Sequence, residues 1–192
     1  MRTALIERNT GETKIRLALS LDSGEDATVS TGIGFFDHML ALFGKHSGFG
    51  LNISCAGDTH VDSHHTVEDT GIALGLALKK ALGDKMGIER YGFASIPMDE
   101  ALVNCTVDFS GRSFLTYSVS FPSEKLGEME AESVREFFLA LSSNAQMNLH
   151  LSLLYGQNSH HIAECAFKAA ARAMRDASRL TGTGLPSTKG VL

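Results

Sequence analysis

The sequence predicts an α+β fold made by internal duplication. Each half is ordered strand-strand-strand-helix-strand-helix, with its helices packed on one face of its sheet. Three observations carry that expectation. Residues 63–68, Ser-His-His-Thr-Val-Glu, recur as residues 159–164, Ser-His-His-Ile-Ala-Glu, 96 positions on in a chain of 192. Each copy opens an Ala/Leu-rich segment of helical character, Thr70 to Leu82 and Ala166 to Leu180. Within those segments Ala73, Ala77 and Ala81 match Ala169, Ala173 and Ala177. Small side chains at i, i+4 and i+8 lie along one helix face and let a neighbour come close.

In chain order, Thr3 to Arg8 and Thr13 to Leu21 read as strands joined by a turn at Asn9-Thr10-Gly11. Ile15, Leu17, Leu19 and Leu21 alternate with Arg16, Ala18 and Ser20, the period-two pattern of a half-buried strand. Ala27 to Thr31 is a third, short strand. Phe35 to Phe43 reads as a helix stopped by Gly44, and Asn52 to Ala56 as a strand. A second helix follows the first paired-His stretch and ends near Gly83. In the second half, Ala101 to Asp108 and Phe114 to Phe121 are strands around a Ser110-Gly111 turn. Ala131 to Leu141 is a helix, Asn148 to Tyr155 a strand, and the last helix runs from the second paired-His stretch to about Leu180. No Pro- or Ser-rich linker separates the halves, so residues 1–192 read as one domain of two repeats, roughly 1–92 and 93–192.

Composition narrows the function. Hydrophobic residues make 43% and charged residues 20%, the balance of a soluble globular protein. A net charge of −5 argues against non-specific nucleic-acid binding while allowing a local basic pocket for a phosphate. No apolar run is long enough to span a membrane and no secretory signal is evident, so a cytoplasmic protein is expected. Cys55, Cys105 and Cys165, odd in number and far apart, read as reduced, buried thiols. Of eight histidines, five lie in the two paired-His stretches and at His60.

Spacing gives the repeated stretch its chemistry. On a helix, residues i and i+4 share a face and neighbours point about 100° apart. His64 with Glu68, and His160 with Glu164, are therefore each placed to chelate one ion. His65 and His161 point elsewhere and are free to complete a second site supplied by the other copy. Imidazole plus carboxylate suits Zn, Mn, Fe or Ni, with no thiolate involved. An ionisable group also recurs beside a Phe-Phe pair, as Asp37-His38 after Phe35-Phe36 and as Glu136 before Phe137-Phe138. Such a group would give each metal a fourth protein ligand. The register is open, and Glu136 matches either Asp37 or His38.

Arg90, Arg112, Lys168 and Lys189 are candidates for holding an anion. Lys189 lies in a tail, Pro186-Ser187-Thr188-Lys189-Gly190, whose hydroxyls, backbone N–H groups and charge suit a phosphate. Glu12, beside the first turn, reads by itself as a surface charge.

The chain resembles the imidazoleglycerol-phosphate dehydratase family of histidine biosynthesis. The resemblance rests on Gly34 to Leu40 (GFFDHML), Ser63 to Gly71 (SHHTVEDTG), Pro97 to Leu102 (PMDEAL), Asn158 to Lys168 (NSHHIAECAFK) and Pro186 to Gly190 (PSTKG). It implies a duplicated fold like the second domain of ribosomal protein S5, and a homo-oligomeric shell of twenty-four subunits. It also implies two Mn²⁺ ions per active site, shared between subunits. One ion would take His38, His65, His160 and Glu164, and the other His64, Glu68 and His161. Many members have His at the place of Glu136, so this chain departs there. By the same resemblance Glu12 lies near the substrate, His46 at the glycerol-phosphate end, and Arg90, Arg112, Ser187 and Lys189 bind phosphate. Lys168 and Thr188 are expected with them, and His38 beside the substrate as well as the metal.

The chemistry this implies is loss of water from imidazole glycerol phosphate, giving imidazole acetol phosphate. Metal on the ring nitrogens would let the ring accept negative charge as an imidazolate-like intermediate. Glu12, His65 and Glu164 are the residues expected at the reacting atoms, with Glu12 the leading proton carrier. Two other readings of the same residues stay open. A dinuclear phosphate-ester hydrolase would use the metals to activate water, and a structural-metal assembly protein would use the His/Glu clusters to join subunits.

Overall fold

The structure, a computed structural model, describes residues 1–24 and 26–192. Its first half runs β1 (Thr3–Asn9), β2 (Thr13–Ser20), β3 (Thr28–Ser30), α1 (Gly34–Ser47), β4 (Gly50–Gly57) and α2 (His64–Leu82). Its second half runs β5 (Tyr91–Met98), β6 (Ala101–Asp108), β7 (Phe114–Ser118), β8 (Lys125–Leu126), β9 (Met129–Glu130), α3 (Ser133–Ala145), β10 (Asn148–Tyr155) and α4 (Ser159–Ser178).

The duplication holds at the level of strand order. The sheets run β1-β2-β4-β3 and β5-β6-β10-β7, and in each the short third strand pairs parallel with the fourth while the other pairings are antiparallel. Alternation in β2 and β6 buries every second side chain, which gives each sheet one covered and one open face. α2 lies against β1 and β2, and α4 against β5 and β6. Across the middle, α2 packs on α3 and α1 on α4, so helices of both halves meet between the two sheets. Phe36 of the first half meets Phe137 of the second edge-on at 5.4 Å, and Phe137 stacks on Phe167 at 5.2 Å. These rings are fully buried and join the halves into one core.

Glycines set the closest approaches. A Cβ on Gly71 or Gly75 would lie 2.7 Å from the carbonyl oxygen of Phe137 or Leu141, so α2 and α3 cross backbone to backbone there. Ala73 and Ala77, about 200° round the helix from Gly71 and Gly75, face the sheet instead. In α4 the matching stripe serves the same purpose, because a Cβ on Gly92 of β5 would run into the Ala173 carbonyl.

Some elements depart from the sequence expectation. β5 is not apparent in the sequence because its covered face is Gly92, Ala94 and the half-buried Ile96, too small to give a period-two signal. α1 does not stop at Gly44. It continues to Ser47 and ends at Gly48, whose left-handed backbone (φ 70°, ψ 16°) returns its N–H to the Gly44 carbonyl. Gly44 is instead a packing position, where a Cβ would lie 2.6 Å from that of Ala27. β7 ends at Ser118 rather than Phe121, and α3 begins at Ser133 rather than Ala131. The hairpin of β8 and β9 has no counterpart among the described residues of the first half.

Candidate functional site

Asn158 starts the site. Its side-chain oxygen accepts from the backbone N–H groups of His160 (2.9 Å) and His161 (3.3 Å), capping α4 with both histidines in its first turn. Glu164 lies one turn on, and α1, packed on α4, brings His38 over both. His160 Nε2 is 2.9 Å and His38 Nε2 3.1 Å from Glu164 Oε1. Among the described residues this is the one group of three His, Cys, Asp or Glu side chains whose ligand atoms lie within 4.8 Å of one another. Lys168 bonds the other oxygen of Glu164. Burial alone would raise the Glu164 carboxyl, but the bonds from Lys168, His38 and His160 outweigh it and hold it down at about 2. It is therefore an anion at neutral pH. Its spacing from the two imidazoles would let all three side chains reach one ion.

The paired histidines diverge as helix geometry requires. The rings of His64 and His65 stand at 89°, and so do those of His160 and His161. His64 Nε2 lies 3.6 Å from Glu68, the i,i+4 pairing of the first copy. His65 turns to Asp58 (Nδ1, 3.0 Å) and Glu12 (Nε2, 3.6 Å). His161 turns to Glu100 (Nδ1, 2.7 Å) and Asp99 (Nε2, 3.8 Å). Asp58 raises the pKa of His65, and Glu100 that of His161, through these bonds; Glu100 in turn is lowered to about 2. Nothing local in the sequence links Asp58 to His65, or Asp99 and Glu100 of the PMDEAL stretch to His161 more than sixty positions on, so these pairings are legible only in the structure.

Glu136, in the first turn of α3, is half-buried and pairs with Arg135 at 2.8 Å. His46 lies two turns along α1 from His38. Burial lowers its pKa, as do the charges of Lys168 and Arg172.

The anion candidates gather elsewhere. Arg90 binds Asp108 (2.8 Å) and the Pro186 carbonyl (2.8 Å), which ties the tail to the end of β6. The tail turns at Ser187, whose hydroxyl accepts from the Lys189 N–H and whose carbonyl accepts from Gly190. Leu192 then lies against Gly111, beside Arg112. Thr188, Lys189 and Arg112 are exposed there. The Arg90 N–H bonds the Ala177 carbonyl at the far end of α4. Seventeen residues separate Ala177 from His160, about 25 Å of helix. Of the anion candidates, Lys168 alone reaches the His38–His160–Glu164 group.

The family model for imidazoleglycerol-phosphate dehydratase matches residues 31–174, three quarters of the chain and all of the His38 to Lys168 group. The chain belongs to the imidazoleglycerol-phosphate dehydratase family. Relatives of that name match along their whole length and the whole of this chain, at 56% identity from Streptococcus mutans and 54% from Listeria innocua. The crystal structure of the Staphylococcus aureus imidazoleglycerol-phosphate dehydratase is 40% identical, with a TM-score of 0.84 over 94% of this chain and 99% of that one. That of the Pyrococcus furiosus protein is 34% identical, with a TM-score of 0.85 over 97% and 100%. The duplicated α+β architecture is thus the fold of the family. Glu12 and the Ser187–Lys189 tail fall outside the family-model match but within the full-length alignments.

Proposed function

We propose that the protein is a hydro-lyase of histidine biosynthesis in the cytoplasm. It would dehydrate D-erythro-imidazole glycerol phosphate to imidazole acetol phosphate, with two Mn²⁺ ions per active site and sites shared within a homo-oligomer of twenty-four subunits. The observation that carries this reading is the convergence of His38, His160 and Glu164 in a chain of this family. Their donor set, two imidazoles and one buried anionic carboxylate, fits a divalent ion of borderline hardness.

One ion would be held by His38, His65, His160 and Glu164, the other by His64, Glu68, His161 and Glu136. In this chain His65 faces Asp58 and Glu12, apart from the His38 group. That separation supports a ligand supplied by another copy. So does the distance of about 25 Å between the metal group and the Arg90 end of α4, which one small substrate cannot span. Exposed Phe93 and Phe114 on the open face of the second sheet support burial against further subunits.

Divalent ions held by these residues would supply Lewis acidity, letting the imidazole ring take up negative charge when the neighbouring C–H proton is removed, and the C3 hydroxyl would then leave, protonated, as water. Glu12, exposed and with only His65 Nε2 near its carboxylate, takes that proton. His65, 3.6 Å away, and Glu164 complete the groups at the reacting atoms. Arg90, Arg112, Ser187, Thr188 and Lys189 hold the phosphate, with Lys168 and His46 along the chain of the substrate. Fixing that end orients the C–H bond towards Glu12.

Incubation with imidazole glycerol phosphate and Mn²⁺ tests the reading. The ketone product should form with the metal and stop on chelation. Release of inorganic phosphate instead would favour a hydrolase, and metal-dependent assembly without turnover would leave only a structural role.

A further inference from the structure

We infer that Asp58 and Glu100 are positioning residues that fix which nitrogen of His65 and of His161 is offered to a metal. The relation occurs twice. Asp58 Oδ2 meets His65 Nδ1 at 3.0 Å, and Glu100 Oε2 meets His161 Nδ1 at 2.7 Å. An ionised carboxylate only accepts, so in the neutral imidazole Nδ1 carries the hydrogen and Nε2 keeps its lone pair. A carboxylate on the outer nitrogen also makes the ligating nitrogen more basic and holds the ring still.

The two carboxylates are not copies of one ancestral position. Gly57 lies against Thr13 and Thr66, and Gly156 against Ala101 and Ile162, so these glycines are equivalent in the duplication. The place of Asp58, next after Gly57, is therefore taken by Gln157, which has no charge to offer. Conversely, Glu100 directly precedes β6 as Glu12 directly precedes β2. The two glutamates are counterparts with different surroundings. Glu12 approaches His65 from the Nε2 side at 3.6 Å. Glu100 takes His161 at Nδ1, and its other oxygen accepts from the backbone of Gln157 (3.2 Å) and Asn158 (2.7 Å). In the first half Asp58 holds the ring and leaves Glu12 for the substrate. In the second half no such residue follows Gly156, and Glu100 does the holding.

Resting on the reading of His65 and His161 as ligands of different ions, the test is Mn²⁺ affinity of the assembled protein, measured from the free-ion electron paramagnetic resonance signal. Asp58→Ala and Glu100→Ala should each weaken one of the two ions by about 10–100-fold, and the double variant both. Asp58→Asn and Glu100→Gln keep an acceptor oxygen and should lose less, which also guards against an alanine variant that fails to fold. Glu12→Gln should leave both affinities at the wild-type value. Unchanged affinity in both alanine variants, or equal loss in Glu12→Gln, overturns the inference. A wild type that binds two Mn²⁺ with these variant effects but makes no ketone sinks the proposed reaction and leaves the positioning roles standing.

Discussion

Glu136 stands in α3 where His38 stands in α1. The two helices end in the same way, at a left-handed residue, Gly48 after α1 and Gln146 after α3, and the two side chains lie equally far before it. The open choice between Asp37 and His38 as its counterpart is thereby decided. α1 presents His38 to the α4 pair of His160 and Glu164, and α3 packs on α2, which carries His64 and Glu68.

If that symmetry extends to function, Glu136 is the fourth ligand of the second ion. Glu136→Ala should lose about one metal per active site, whereas Glu136→His should keep both. Metal analysis of the purified variants decides it, and full occupancy with normal turnover in Glu136→Ala would return the residue to its pairing with Arg135.

The tail and the Arg112 turn should act on binding. Arg112→Ala or Lys189→Ala should raise KM with metal content unchanged, since each removes one charge-assisted contact worth about 1.5–3 kcal/mol. Steady-state kinetics with metal analysis checks this, and normal KM in both variants would remove the phosphate role.

Glu12→Gln keeps shape and loses the proton carrier. It should bind both metals and the substrate while kcat falls by about 10²–10⁴-fold. A near-normal kcat would move the proton transfer to His65 or another group.

The Glu100–His161 pair should leave a mark on the metal-free protein. Glu100 is lowered from 4.5 to about 2, so its stabilising effect is present above 4.5 and is lost as pH falls towards 2. His161 is raised above 6.5, so its effect is present below 6.5 and is lost as pH rises through the folded value. The two overlap between pH 4.5 and 6.5. With chelator present, the melting temperature of wild type minus that of Glu100→Gln should be largest in that window and shrink on either side. A difference that does not vary with pH would mean that the pair's charges do not contribute.

The sequence by itself determined what is local. Recurrence of the paired-His stretch, with Glu four residues after the first His, carries the duplication and the two chelating faces, because i,i+4 geometry depends only on the helix containing it. Alternation in β2 likewise marks its covered face. Tertiary structure decided what depends on which helix lies against which. His38 and Glu164 are 126 residues apart and meet only because α1 packs on α4. Asp58 and Glu100 meet His65 and His161 only through the loops that hold them there. β5 is a strand because it pairs with β6 along its whole length, and its covered face is small because α4 comes too close for a Cβ at Gly92. The anion candidates look like one set in the sequence, yet Lys168, midway along α4, reaches back to Glu164 while Arg90 bonds Ala177 at the helix's far end, a separation that follows from its length and from the strand and tail packed against it.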